Sequence, residues 1–129
     1  MDEERKYWVA FSVFPGVGPV RFRLLRDFFG SAKSAWTASE KTLRTIKLPE
    51  KLVNEFVVFR KKFDVEKYLQ ELSALHVSVL TLDEPKYPPL LKQISDAPFL
   101  LYVKGLRNSK PIDLSRTIGV VGTRKITRY

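Results

Sequence analysis

The residue types best suited to bind a ligand stand together near the end of the sequence, at Gly122-Thr123-Arg124-Lys125. They follow the run 117–121, Thr-Ile-Gly-Val-Val, which predicts a buried strand. Open α/β sheets bind ligands at the carboxyl ends of their strands. Gly122 allows close backbone approach, Thr123 offers a hydroxyl, and the Arg124 guanidinium matches two phosphate oxygens, with Lys125 adding charge. The pattern predicts a phosphate site, and the alternative is a turn with solvated basic side chains.

A second candidate site lies in the stretch 14–21, Phe-Pro-Gly-Val-Gly-Pro-Val-Arg, between two segments of helical periodicity. Gly16 and Gly18 predict a tight hairpin whose N–H groups face outward at the start of a helix, where phosphate binds readily. Arg21 and Arg23 follow in the first turns of that helix. The stretch resembles the helix-hairpin-helix element, which grips a nucleic-acid backbone without reading bases. The alternative is a turn that only lets two helices pack closely.

The other polar residues predict structure rather than chemistry. A second hairpin at 47–50, Lys-Leu-Pro-Glu, has no glycine and an acid that repels phosphate. The absence of cysteine and the single histidine, His76, exclude thiolate and multi-imidazole metal sites. The paired acids Asp83 and Glu84 predict solvated turn residues. Because dinucleotide and phosphate-loop fingerprints are also missing, we expect no metal, no cofactor and no enzyme activity.

Positive charge concentrates towards the end of the sequence. Of 129 residues, 23 are Lys or Arg and 14 are Asp or Glu, which gives a formal charge of +9. Residues 104–129 hold seven of the bases and one acid. Such a cluster attracts polyanions, because neutralised phosphates release their condensed counterions. No signal-peptide pattern and no apolar run near the ~20 residues of a membrane span occur. We expect a cytoplasmic protein with a nucleic-acid partner and no membrane contact.

Residues 2–75 show helical periodicity throughout, which predicts five or six short helices around an aromatic core. Pro19 predicts the start of the second helix, and Gly30 predicts its left-handed end. Ser31 and Asp64 are predicted N-caps of later helices. On the second helix we expect one apolar face, made of Val20, Leu24, Leu25 and Phe28.

The pattern changes at His76. Residues 77–82 alternate and are rich in β-branched types, which predicts a strand. The continuous apolar runs 99–103 and 117–121 are typical of strands covered on both faces, usually in a parallel sheet. A parallel pair needs a crossover of a dozen or more residues, and only eight follow Val121.

The fold class predicted is therefore α+β over the chain. We expect an all-helical module over residues 1–75 and the incomplete start of an α/β unit over residues 76–129. Residues 77–121 should supply at least three strands.

Several stretches together resemble the DNA-processing protein A family (DprA, also called Smf). They are Tyr87-Pro88-Pro89-Leu90-Leu91, Pro98-Phe99-Leu100-Leu101-Tyr102-Val103-Lys104-Gly105 and Ile118-Gly119-Val120-Val121-Gly122-Thr123-Arg124. Upstream, Pro15-Gly16-Val17-Gly18 and Phe29-Gly30-Ser31 are similar to that family's N-terminal module. The family pattern Gly-Ser/Thr-Arg-x-x-Ser-x-Tyr-Gly is matched at Gly122, Thr123, Arg124 and Tyr129, with Thr127 in place of Ser.

The resemblance implies a helix-hairpin-helix or SAM-like module followed by a Rossmann-like domain that binds single-stranded DNA. It also implies a homodimer that protects incoming DNA and helps load RecA recombinase in natural transformation. The family's later DNA-binding lysine and its dimer surface would lie beyond Tyr129.

Two other functions compete with this one. A Rossmann-like nucleotide-processing enzyme would need a Pro-Gly-Gly-x-Gly-Thr loop, which the sequence does not contain. A helical protein-interaction module would use residues 1–75 to dock a partner and would never touch DNA.

Overall fold

A computed structural model describes residues 2–104, 118–123 and 125. Its elements in chain order are α1 (Glu3–Val13), α2 (Pro19–Phe29), α3 (Ala32–Thr37), α4 (Glu40–Leu43), α5 (Glu50–Lys62), α6 (Val65–Ala74), β1 (Val77–Thr81), α7 (Pro89–Lys92) and β2 (Leu100–Lys104). The six helices before Val77 confirm the predicted helical content of this region. The boundary between residues 75 and 76 stays a prediction.

The residues predicted to begin, end or cap helices have those positions in the structure. Pro19 is the first residue of α2, and Gly30 ends that helix at φ 82°, in the left-handed region where glycine is favoured. The Ser31 hydroxyl accepts a hydrogen bond from the Ser34 N–H at 3.0 Å. Asp64 caps α6 in the same way, through the Lys67 N–H at 3.0 Å. These caps satisfy N–H groups that have no partner inside their helices.

One cap could not be predicted from the sequence. The Glu4 carboxylate lies in the first turn of α1, yet it accepts hydrogen bonds from the Ala32 N–H at 2.6 Å and the Lys33 N–H at 3.1 Å. It therefore caps α3, 28 residues further along the chain. The Trp8 indole N–H also donates to this carboxylate, at 3.2 Å. Glu4 thus ties α1 to the start of α3.

The core consists mainly of aromatic rings from four helices. Phe11 is fully buried and lies between the rings of Trp36, Phe22 and Phe56, with centroid distances of 5.1, 5.6 and 5.3 Å. Edge-to-face and offset arrangements at such distances are favourable. The strands contribute to the same core, because Phe99 stacks on Phe22 with the centroids 4.0 Å apart.

The apolar face predicted for α2 is wrong in part. Leu25 is buried as expected, and its partner in the core is Phe22. Val20, Leu24 and Phe28 are exposed. The two sets lie on opposite sides of the helix, because at 3.6 residues per turn the i, i+4, i+8 row cannot share a face with Phe22.

The strands also differ from the prediction. β1 and β2 form a two-stranded antiparallel sheet in which Val79 pairs with Tyr102. The continuous run 99–103 indicated a parallel strand covered on both faces, but β2 is antiparallel to β1, and Leu100 is its only buried residue. Residues 118–121 are not a strand, and Ile118, Val120 and Val121 are more than 90% exposed. No described element pairs with them, and a strand needs a partner for its backbone groups.

A chain of hydroxyls joins α1, α6 and β2. The Tyr68 hydroxyl donates to Tyr102 at 3.4 Å, and Tyr102 lies 2.6 Å from the Ser12 hydroxyl, which donates to the Val9 carbonyl at 2.7 Å. The Tyr102 and Ser12 hydroxyls are hydrogen-bonded to each other, and either can donate. Partial burial raises the pKa of Tyr102 to about 12, against an ordinary value of 10.0.

We expect this raised pKa to appear in the alkaline unfolding of the protein. A group whose pKa is higher in the folded state stabilises the fold fully below its unfolded pKa, and that contribution is lost as the pH rises through the folded value. The Tyr102 contribution to the free energy of unfolding should fall between pH 10 and about 12. Urea unfolding of wild type and Tyr102→Phe across this range measures it. Parallel stability curves for the two proteins would contradict the assignment.

Candidate nucleic-acid interface

The hairpin between α1 and α2 presents two backbone N–H groups that have no partner inside the helix. Gly18 is the N-cap of α2, in an extended conformation, and Pro19 follows it. The first hydrogen bond of the helix runs from the Phe22 N–H to the Gly18 carbonyl at 2.9 Å. The N–H groups of Val20 and Arg21 precede that bond, so they have no partner within the helix. Together with the positive end of the helix dipole, they suit an anion.

The two glycines of the hairpin have different roles. A Cβ on Gly16 would lie 2.1 Å from Leu52 Cδ1 and 2.8 Å from the Phe14 ring, so this glycine lets the hairpin pack on α5. A Cβ on Gly18 would meet nothing within 4 Å. Gly16 therefore fits the packing explanation, and only Gly18 leaves space for a ligand.

The two arginines of the hairpin lie on different sides of α2. The Arg21 guanidinium donates to the Gly16 carbonyl at 2.8 Å, which holds its charge beside the loop. Arg23 is exposed, and it forms no ion pair with the residues that the structure describes. Residues two apart on a helix are about 200° apart around its axis. The structure thus brings Gly16, Gly18 and Arg21 together and does not add Arg23 to them.

The second hairpin has the structural role that its sequence predicts. Arg44 donates to Glu50 at 3.1 Å, to Glu40 at 2.6 Å and to Asn54 at 2.6 Å. This network joins α4 to α5 and leaves the Glu50 carboxylate at the start of α5. An acid at that position repels phosphate, so the hairpin around 47–50 is no anion site.

The predicted phosphate site at 122–125 is described only in part. Gly122, Thr123 and Lys125 are exposed, and the Lys125 N–H donates to the Thr123 hydroxyl at 3.2 Å. A Cβ on Gly122 would meet nothing within 4 Å. Arg124 lies outside the described residues. Three of the four positions of the predicted phosphate site are therefore accessible.

The acids of the turn after β1 stabilise the fold. Asp83 accepts a hydrogen bond from Arg26 at 2.6 Å, and the Arg26 guanidinium lies 4.9 Å from the Trp8 ring. Glu84 accepts from the N–H and hydroxyl of Thr81, at 2.9 and 3.0 Å. The structure therefore shows both acids paired with other residues, whereas the sequence predicted solvated turn residues.

Two further features constrain the site. No group of three or more His, Cys, Asp or Glu side chains able to hold a metal occurs among residues 2–104, 118–123 and 125. Within the same part of the chain, every helix is too short or too polar to cross a bilayer.

Comparison with known proteins identifies the family. Residues 78–129 match the family model described as DNA recombination-mediator protein A. A curated relative, Protein Smf from Synechocystis sp., is 31% identical over 130 residues, which include 99% of this chain. The chain belongs to the DNA recombination-mediator protein A family. The match to Protein Smf covers the helical module as well as the strands, so the resemblance found in the sequence is confirmed.

The chain spans about a third of the length of Protein Smf, since the alignment covers 33% of that relative. No solved structure matches the chain. For this member of the DNA recombination-mediator protein A family, the described structure gives the helical module and two strands, and the Rossmann-like domain stays a prediction.

Proposed function

We propose that this chain supplies contacts to single-stranded DNA within a DNA recombination mediator. The observation that carries the proposal is family membership, and the exposed turn at Gly122, Thr123 and Lys125 supports it. Its residues face solvent in the most basic part of the sequence, where seven bases accompany one acid. Contacts of this kind hold phosphates and carry little sequence information, so binding is nearly independent of base sequence.

The wider role that we propose for the protein is the one that its family resemblance implies. The mediator protects incoming single strands during natural transformation and helps load RecA recombinase, and it acts as a homodimer in the cytoplasm. It is a binding protein rather than an enzyme, and neither metal nor cofactor takes part. The DNA-binding residues are Gly122, Thr123, Arg124 and Lys125, with the hairpin at Gly18 and Arg21 as a second contact and Gly16 packing that hairpin on α5. Arg23 contacts the DNA only if the bound single strand continues along α2 beyond the first turn of that helix.

The hairpin contact can be tested by the salt dependence of binding. For single strands, log K falls with log salt by about 0.7 for each phosphate that is neutralised. We expect the variant Arg21→Ala/Arg23→Ala to bind oligothymidine more weakly, with a slope lower by about 0.7 if only Arg21 contacts phosphate. Fluorescence anisotropy at several salt concentrations measures the slope.

The control for this experiment removes the same charge elsewhere. Lys41→Ala/Lys61→Ala alters two exposed lysines away from the hairpin and should leave the slope near that of wild type. If the two double variants share one slope, the hairpin makes no phosphate contact of its own.

A second candidate function is protein docking by the helical module, and one observation favours it. An open groove of about 760 Å³ lies between the hairpin and α5, and its walls include Phe14, Pro15, Val58, Phe59 and Phe63. Asn54, Glu55 and Lys62 complete the lining, so the walls are mostly apolar, which suits a protein partner better than a phosphate backbone. An unchanged salt slope in the hairpin variant would favour this function.

A further inference from the structure

The groove between the hairpin and α5 is lined mainly by aromatic rings. Phe59 and Phe63 are partly buried and stack on each other with their centroids 5.0 Å apart, and the Phe14 ring lies 5.2 Å from Phe59. Val58, which is 54% exposed, continues the apolar wall along α5. The volume of about 760 Å³ is in the range of pockets that bind small ligands. Walls of this kind suit a flat aromatic ring.

The polar side chains of the groove suit a ligand that also carries hydrogen-bonding groups and negative charge. Asn54 accepts a hydrogen bond from Arg44 through its amide oxygen, at 2.6 Å, which leaves its amide N–H groups as donors. The Glu55 carboxylate, 3.9 Å from Lys51, is an acceptor. Lys62 is exposed and forms no ion pair with the residues that the structure describes. The groove thus combines aromatic rings with a donor, an acceptor and a cation.

The groove also adjoins the hairpin contact for phosphate. Pro15 forms part of its wall, and the carbonyl of the next residue, Gly16, accepts a hydrogen bond from the Arg21 guanidinium at 2.8 Å. The guanidinium is therefore held beside the residue that follows the wall. Because a single sugar joins the phosphate and the base of a nucleotide, a phosphate at Arg21 would bring its base within reach of the groove.

We propose that the groove binds unstacked bases of single-stranded DNA while Arg21 holds the adjacent phosphate. The inference rests on the proposed DNA-binding function and adds to it a means of selecting single strands. The bases of a duplex are paired and stacked inside the helix, whereas those of a single strand can turn outwards and stack on aromatic side chains. Every base has a ring face, so this contact adds affinity with little dependence on base sequence.

A protein segment is the competing occupant, because it too would cover the apolar walls. The cations favour a nucleotide, since neither Arg21 nor Lys62 is paired with a carboxylate in the described part of the chain. The two occupants also differ in what the groove should recognise. A groove that serves a protein is indifferent to whether a DNA strand carries bases, and a base-binding groove is not.

Two strands of equal charge test the proposal. One is oligothymidine, and the other is a strand of the same length in which abasic residues replace the nucleotides. Both are titrated by fluorescence anisotropy into the longer protein that contains this chain, as wild type and as Val58→Asp. The new carboxylate lies in the wall and opposes stacking there. We expect Val58→Asp to bind oligothymidine at least about fivefold more weakly than wild type, which corresponds to the loss of one stacked base.

Leu90→Asp is the matched control. Leu90 is also 54% exposed, and it lies on α7, outside the groove. Both variants introduce the same charge, so they should bind the abasic strand with similar affinity. A second groove variant, Phe63→Leu, keeps an apolar side chain and removes the ring. It should weaken binding of oligothymidine and leave binding of the abasic strand unchanged. Circular dichroism checks that each variant keeps its helices.

The proposal is overturned if neither groove variant distinguishes oligothymidine from the abasic strand. That result would indicate a groove that serves a protein partner. The proposed DNA-binding function would survive it, because wild type would still bind oligothymidine in a salt-dependent manner. A wild-type protein that binds neither strand would overturn both, so the two failures are distinguishable.

Discussion

Replacing Phe11 with alanine should destabilise the helical module by about 3 to 5 kcal/mol. The side chain has no exposed surface and contacts rings from α2, α3 and α5. Its removal leaves a cavity at the point where those helices meet α1. The surrounding rings cannot close the cavity without giving up their own contacts. The variant should therefore lose most of the stability that the Phe11 side chain supplies.

Urea unfolding followed by circular dichroism measures this loss. Phe11→Leu keeps most of the volume and should cost less than about half as much as Phe11→Ala. Val58→Ala is the surface control, because Val58 is 54% exposed, and it should change stability by no more than about 0.5 kcal/mol. A loss below about 1 kcal/mol for Phe11→Ala would mean that the aromatic cluster does not hold the helices together.

Replacing Arg124 with alanine should have the largest effect on DNA binding. In the longer protein we expect a cost of roughly 1.5 to 3 kcal/mol, the range for a hydrogen bond to a charged group. Arg124 follows Gly122 and Thr123, which are exposed and able to approach a phosphate. Arg124→Lys should recover only part of the affinity, because an ammonium group cannot form the bidentate contact of a guanidinium.

A distant charge distinguishes a phosphate site from general attraction. Lys61 is exposed on α5 and forms no ion pair among the described residues. Lys61→Ala therefore removes one positive charge without touching the turn at 122–125. Oligonucleotide titration of the two variants should show a much larger loss for Arg124→Ala. Equal losses of affinity in the two variants would contradict a specific phosphate site and would leave only general attraction between basic side chains and DNA.

Local signals allowed most of the helical module to be predicted from the sequence. Pro19, Gly30, Ser31 and Asp64 mark helix ends through their own backbone or side-chain chemistry, and each acts where its type and position indicate. Such signals depend on residues within a turn of one another, so they are visible in sequence. The role of Glu4 could not be predicted from local signals, because its position as the cap of α3 depends on how two helices pack.

The errors arise where burial depends on distant elements. Leu24 and Leu25 are adjacent and chemically alike, and only the position of the core decides that Leu25 is buried and Leu24 exposed. The run 118–121 has the composition of a buried strand, but no described element covers or pairs with it. An apolar run predicts a strand only when a partner strand is present.

Only part of the candidate site could be predicted from the sequence, because its geometry also depends on residues that are distant in the chain. Glycine spacing and basic residues pointed to the hairpin, and the structure gives it N–H groups without a partner inside α2 and the guanidinium of Arg21. The sequence could not show that Gly16 is required by Leu52, which is far away in the chain. It also placed Arg21 and Arg23 in one site, although a helix separates side chains that are two residues apart.

The central claim is that this protein binds single-stranded DNA through phosphate contacts, and one titration tests it most directly. Oligothymidine and a mixed-sequence strand of equal length are titrated into the longer protein that contains this chain, at several salt concentrations. We predict nearly equal affinities for the two strands and a linear fall of log K with log salt. Absence of binding at low salt, or binding that salt does not weaken, would contradict the claim.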